Sequence, residues 1–186
     1  MIEAVIIALI IAKVKGYSLK AFFKSWTIYP ILIFEVIYVL FQVNIFMGNY
    51  EVVKWAPYFR SIYMYLFLIP IFWYKEYLSA TIGSLFIFIG TFLNNLVIGA
   101  NGGKMPTFPS LTYITGYLKE GTFSKIQDIH TLGNSTVKLK YLSDIFDIGY
   151  SILSVGDIFI RVFVVIIIYA TVKKTNEEIK LKIKVA

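Results

Sequence analysis

Cysteine is absent from the 186 residues, which excludes disulfides, thiolate metal sites and a cysteine nucleophile. Histidine occurs once, as His130. With Asp128, Asp144 and Asp147 it offers too few ligands for zinc, so neither metal nor cofactor is expected. Charge is also scarce. Charged residues make up 16% of the chain and hydrophobic ones 58%, whereas a soluble domain is roughly 25% charged and 45–50% apolar. With a mean hydropathy of +0.73, the composition is that of an integral membrane protein. The apolar spans leave no room for a second soluble domain, so residues 1–186 are expected to form a single membrane domain.

Eleven acidic residues face eighteen basic ones, for a net charge of +7. The lysines sit in short segments between apolar runs, and no nucleic-acid motif is present. Orientation in the membrane and attraction to anionic lipid explain them instead. No nucleic-acid partner is expected. The first apolar run follows Glu3 and precedes Lys13 and Lys15, the reverse of a signal peptide's charge order.

A bilayer core is crossed by about 20 mostly apolar helical residues. Five segments approach this: 1–14, 26–46 with Pro30 in its first turn, 58–74 with Pro70 near its end, 77–100 and 155–172. The expected fold is all-α, a polytopic transmembrane bundle of about five spans. Trp26, Trp55, Trp73 and many tyrosines fall near span ends, as an interfacial belt requires. Lys13, Lys15, Lys20, Lys24, Lys75 and the tail lysines 173, 174, 180, 182 and 184 share one side if there are five spans. The positive-inside rule then predicts a multi-pass cell-membrane protein with an outside N-terminus and a cytoplasmic C-terminus.

The outer segment 101–154 is too apolar for disorder and too long for a passive connection. Its sequence predicts a short helix within Ser110–Lys119, an irregular stretch Phe123–Thr136 and an interfacial segment Leu139–Ile148 carrying Asp144 and Asp147. It opens on Asn101-Gly102-Gly103-Lys104-Met105-Pro106, where the glycines free the backbone and Pro106 stops a helix.

Several polar residues stand out against this apolar background. Glu35 lies near the centre of the second span, where a carboxylate costs about 2.5–3.5 kcal/mol. It reads as a cation or coupling contact, or as a hydrogen-bonded packing residue. Ser154 and Asp157 have capping-box spacing at the start of the fifth span, and Asp157 and Arg161 are four apart on one face. That helix start is either self-capped or open to an anion. Asn94 and Asn95 require partners at membrane depth. Gly102 and Gly103 with Lys104 form either a plain turn or an anion-binding nest. His130 and Asp144 are the weak catalytic candidates; a Ser154–His130 pair lacks an elbow motif and a third member. Asn134-Ser135-Thr136 matches a glycosylation sequon.

The strings Asn94-Asn95-Leu96-Val97-Ile98-Gly99-Ala100-Asn101-Gly102-Gly103-Lys104-Met105-Pro106, His130-Thr131-Leu132, Leu142-Ser143-Asp144-Ile145 and Ser154-Val155-Gly156-Asp157-Ile158 resemble an uncharacterised bacterial family of small polytopic membrane proteins, a domain of unknown function. The resemblance covers the second half of the chain, the first half being similar in hydropathy alone. It implies a fold type and a shared Asn-Gly-Gly-Lys/Arg-Met-Pro loop, and it brings no activity. Where a Lys-His pair is expected, this chain has Ile129-His130.

The expected function is binding, with or without transport, of an anionic or zwitterionic lipid headgroup or small solute in an outward-facing polar cavity. Glu35, Asn94, Asn95, Asn101, Gly102, Gly103, Lys104, His130, Asp157 and Arg161 are its expected ligand-binding residues, with membrane lipids as partners. The alternatives are a membrane-embedded enzyme acting on lipid or peptide, and a non-catalytic subunit beside a partner membrane protein. The missing cysteine and the lone histidine disfavour the enzyme.

Overall fold

The computed structural model describes residues 1–125 and 128–185. The chain is nearly all-α: α1 (Ile2–Val14), α2 (Leu19–Phe23), α3 (Tyr29–Phe46), α4 (Ala56–Leu66), α5 (Leu68–Tyr74), α6 (Tyr77–Ala100), α7 (Leu111–Ile114), α8 (Thr122–Lys125) and α9 (Val155–Val185). Among the described residues, four short strands lie between α6 and α9: β1 (Met105–Thr107), β2 (His130–Leu132), β3 (Phe146–Asp147) and β4 (Ile152–Leu153). Three helical stretches are long and apolar enough to cross a membrane: Trp26–Phe46, Tyr77–Ala100 and Val155–Lys182.

The chain divides into two compact units. The first comprises Met1–Val36, Arg60–Phe86 and Arg161–Ala186, the second Ile37–Phe59 and Ile87–Ile160. In the first unit, α1 buries Ala4, Ala8 and Ala12. Their i, i+4, i+8 spacing makes a smooth seam that lets a neighbouring backbone come close. Tyr63, Phe67 and Phe163 stack edge to face, with centroids 5.1 and 5.5 Å apart. Asn176 fastens the turn before α2, accepting from Ser18 N at 2.8 Å and donating to Ser18 O at 3.0 Å.

The span expected over 58–74 is broken into α4 and α5, with Phe67 between them. Pro70 is the cause: it has no N–H to offer the carbonyl four residues back, at Leu66, and its ring crowds that carbonyl. The helix expected to end at 172 continues to Val185 as α9. No Gly or Pro interrupts the tail, and Glu177 pairs with Lys173 at 3.9 Å and Lys174 at 2.9 Å along it, the i,i+3/i+4 support of an exposed helix.

α6 shows how the second half is built. Its buried positions are Gly83, Gly90 and Val97, each seven residues from the next. That is two helical turns, so they form one narrow seam. Much of the remaining helix surface is bare: Leu78 is 74% exposed and Phe88 71%. Apolar surface of this extent belongs in hydrocarbon. At Gly90 a Cβ would overlap the Gly156 carbonyl, and at Gly156 one would overlap Asn94 and the Gly90 carbonyl. α6 and α9 therefore touch backbone to backbone in the second unit, which only glycine permits.

Between them, the outer segment is more ordered than its sequence suggests. α7 matches the expected short helix, ending before Gly116 at φ 77°. Within Phe123–Thr136, residues 126 and 127 lie outside the described residues; of the rest, α8 and β2 are regular. Leu139–Ile148 is not one continuous helix. A single 3-10 turn, Lys140–Leu142, leads into extended chain that pairs at Asp144 with Thr107.

The α6–α9 seam makes a measurable demand on side-chain size. Gly90→Leu is expected to cost about 1–3 kcal/mol through overpacking, lowering the melting temperature of the detergent-purified protein. Gly99→Ala is the control: nothing lies within 4 Å of a Cβ there, and its melting temperature should not fall.

Candidate functional site

The outer segment is organised around β1. β2 pairs with it in parallel, Met105 opposite His130 and Thr107 opposite Leu132. On its other side, Asp144 N donates to Pro106 O at 3.1 Å, and Phe108 N donates to Asp144 O at 2.9 Å. Pro106 has no N–H, but its carbonyl suffices for this pairing. Gly133 is required beside it, because a Cβ there would run into the Phe108 ring.

This pairing brings together residues far apart in sequence. His130 Nδ1 lies 2.6 Å from Asp128 Oδ2, and its Nε2 lies 3.5 Å from Asp144 Oδ2. Thr107 Oγ1 donates to the same Asp144 oxygen at 3.0 Å, and Lys104 Nζ donates to the Asp128 carbonyl at 3.0 Å. Burial pulls the His130 pKa down, but the Asp128 hydrogen bond and the charges of Asp128, Asp144 and Asp157 outweigh it and hold the pKa above its ordinary value. Burial raises Asp128, and the hydrogen bond and charge of His130 more than reverse this, with Lys104 adding to the effect. Each ring nitrogen thus faces a carboxylate, an arrangement that favours the protonated ring. Among the described residues there is no group of three His, Cys, Asp or Glu suited to a metal ion.

Asp147 has a structural task. Its Oδ2 accepts from Ser110 N at 2.7 Å, Thr112 N at 2.9 Å and Thr112 Oγ1 at 2.8 Å, and its Oδ1 accepts from Gly149 N at 2.9 Å. Burial opposes its ionisation, yet these donors hold its pKa low.

The other expected site residues are placed as follows. Ser154 Oγ accepts from Asp157 N at 2.9 Å and Asp157 Oδ2 accepts from Ser154 N at 3.4 Å, the reciprocal capping box that the spacing predicts. Asn94 completes it from α6, accepting from Ser154 Oγ at 2.7 Å and donating to Asp157 Oδ1 at 3.2 Å. The start of α9 thus carries its own anion. Asn101 clamps Lys138, donating to its carbonyl at 2.9 Å and accepting from its N–H at 3.0 Å. Gly102 and Gly103 have φ of 66° and 82°, and Gly103 N donates to Ile98 O at 2.9 Å, closing the end of α6 as a Schellman-type cap. Asn95 is exposed on α6. Glu35 and Arg161 belong to the first unit. Tyr63 Oη donates to Glu35 at 2.5 Å inside the core, and Arg161 Nε lies 4.0 Å from Glu3.

Sequence reasoning missed the polar cleft of the second unit. It has a volume of about 450 Å³ and is lined by Gly48, Asn49, Tyr50, Glu51, Val53, Lys54 and Lys125. Its wall is the α3–α4 connection, a 3-10 stretch Tyr50–Trp55 started by Asn49, whose side chain accepts from Glu51 N at 3.3 Å. Thr122 Oγ1 donates to Tyr50 Oη at 3.1 Å and ties this wall to α8, which brings Lys125. Nothing in the sequence pairs Lys54 with Lys125; the fold does.

The histidine cluster makes a prediction about pH. A raised His130 pKa gives stability that is complete below the unfolded value near 6.5 and fades as pH rises through the folded value. The lowered Asp128 and Asp147 values give stability that fades in acid, as pH falls through theirs. Protection of residues 101–154 against hydrogen exchange, taken relative to the intrinsic rate at each pH, should therefore be greatest between these limits. His130→Ala should abolish the alkaline limb and cost about 1–2 kcal/mol, reduced from a fully buried pair because the ring is half exposed. An unchanged alkaline limb in that variant would refute the assignment.

No curated protein and no solved structure matches this chain. A family model does match, over residues 19–169, a range that reaches well into the first half, beyond the strings that carry the resemblance. The chain belongs to this family, described as a family of unknown function (DUF5317).

Proposed function

We propose that this is a five-pass membrane protein whose outward-facing cleft holds an anionic or zwitterionic group, either a lipid headgroup or a small solute. The observation that carries the reading is the cleft where Lys54 and Lys125 converge. They supply the charge first sought at Lys104 and Arg161, which are turned to Asp128 and Glu3. The histidine, held between two carboxylates, suits a structural role better than acid–base catalysis. This favours binding over an enzyme.

The packing of the second unit supports the five spans. The end of α3 meets the outer segment, with Phe46 and Tyr117 rings 5.7 Å apart and Tyr50 bonded to Thr122. The outer segment in turn follows the end of α6. If α3 and α6 both end on one side of the bilayer, the chain between them crosses back, and α4 with α5 is the segment available for that crossing. Those helices cover 56–74, a rise of about 28 Å at 1.5 Å per residue, close to the hydrocarbon thickness. The short α1 provides the fifth crossing, with Lys13 and Lys15 snorkelling at its end.

The absence of cysteine makes the topology directly testable. In intact expressing cells an impermeant maleimide should label Ser124→Cys, and should label Lys20→Cys and Lys180→Cys only after the membrane is opened. The opposite pattern would reject the proposed orientation. For the cleft, Lys54→Ala with Lys125→Ala should abolish the stabilisation of purified protein by glycerol phosphate or phosphatidylglycerol. Lys104→Ala should not. If the double variant responds to both probes as the parent does, the cleft is not the site.

A further inference from the structure

We infer that the ligand of this cleft is an anionic glycerophospholipid taken from the surrounding leaflet, with its phosphate between Lys54 and Lys125 and an acyl chain along α3. The inference rests on the cleft reading above and names its ligand class.

A second cavity of about 450 Å³ in the same unit is lined by Val39, Gln42, Val43, Phe46, Met47 and Tyr150. The four α3 positions recur at i, i+3, i+4 and i+7, one continuous helix face, and Met47 in the turn that follows extends it. This face is apolar and open: Val43 is 47% exposed and Met47 80%. It runs up the last two turns of α3 and stops at Met47. The cleft begins at the next residue, Gly48. An apolar groove thus leads into a basic pocket at the end of a membrane-length helix, matching the two halves of a phospholipid in order and polarity.

Charge and hydrogen bonding select within that class. Two lysines and one carboxylate line the cleft. Glu51 lies 3.9 Å from Lys54 and is itself 87% exposed, so it neutralises little. Among the described residues Lys125 has no ion pair. The groove also contains one polar side chain, the amide of Gln42, four residues below Phe46 and so about 6 Å down the helix. Among the described residues it makes no hydrogen bond, although its neighbour Asn44 donates to Leu40 O at 2.9 Å. An unpaired amide facing hydrocarbon is costly. The ester carbonyl of a lipid whose phosphate lies at the lysines provides the missing acceptor at that depth. Free phosphate or a soluble phosphate ester would fill the cleft but leave the groove and Gln42 unused.

The test uses the full chain in detergent, with native mass spectrometry and thermal shift as readouts and dioleoyl phosphatidylglycerol, dioleoyl phosphatidylcholine and glycerol phosphate as probes. Phosphatidylglycerol should bind most tightly. Lys54→Ala and Lys125→Ala should each weaken it about fivefold, the effect expected of one lysine at an anionic lipid surface. Val43→Trp, which fills the groove, should weaken phosphatidylglycerol and leave glycerol phosphate unchanged. Gln42→Leu, an apolar replacement on an open face, serves as the milder groove variant should Val43→Trp fail to purify. It too should weaken the lipid alone. If glycerol phosphate binds as well as the lipid and neither groove variant matters, the lipid inference is overturned while the cleft reading stands. Equal binding of phosphatidylcholine, untouched by the lysine variants, overturns the charge selection. If neither phosphate probe binds, both readings fall.

Discussion

The backbone contact between α6 and α9 at Gly90 and Gly156 is the constraint on which the second unit depends. Everything from 101 to 154 hangs between the end of one helix and the start of the other. Two glycines bring the helix axes close enough for Asn94 to reach Ser154 and Asp157. A single larger side chain at either position would part these groups and leave polar atoms without their partners. The seam is apolar contact and hydrogen bonding together. In a bilayer the first supplies close packing, and the second sets the register.

From that fixed base the outer segment is stitched by side chains as much as by strands. Its strands are two or three residues long, too short to be stable as isolated hairpins. Asn101 substitutes for a missing strand at Lys138, Asp147 gathers the start of α7, and His130 joins Asp128 to Asp144. These bonds tie together stretches of chain that have little regular secondary structure of their own. They also explain why so polar a set of residues makes a poor reactive centre: the groups that look chemically promising are engaged with one another.

The parts of this architecture that were legible in the sequence are those set by local rules. Tyr77–Ala100 is one apolar run ended by Gly-Gly, and it is one helix. Ser154-Val155-Gly156-Asp157 reads as a capping box, and it is one. The break at Phe67 was missed because Pro70 weakens the turn before it, and a hydropathy window averages over that turn. The strand pairing of Asp144 with Thr107 was hidden because its partner is 37 residues away, while the local pattern resembled an interfacial segment. The convergence of Lys54 and Lys125 is a consequence of tertiary packing through Tyr50 and Thr122, and no spacing rule could reveal it. Glu35 was singled out because a membrane carboxylate is costly, and the cost is met by a tyrosine from a helix beyond the next connection.

The distribution of apolar surface completes the physical picture. α1, α3 and α6 each turn large side chains outward, Ile10, Val36 and Phe88 among them, at exposures of 57%, 61% and 71%. In water these faces would drive aggregation; in a bilayer they cost nothing, because hydrocarbon solvates them as well as a protein core would. These faces are therefore suited to contact with lipid, and a groove on such a face has the apolar lining that an acyl chain requires. Specific recognition requires only that one groove end differ from the rest. At the end of α3 the helix stops at Phe46, the chain turns at Gly48, and Lys54 and Lys125 line the cleft beyond it, so the polarity changes there.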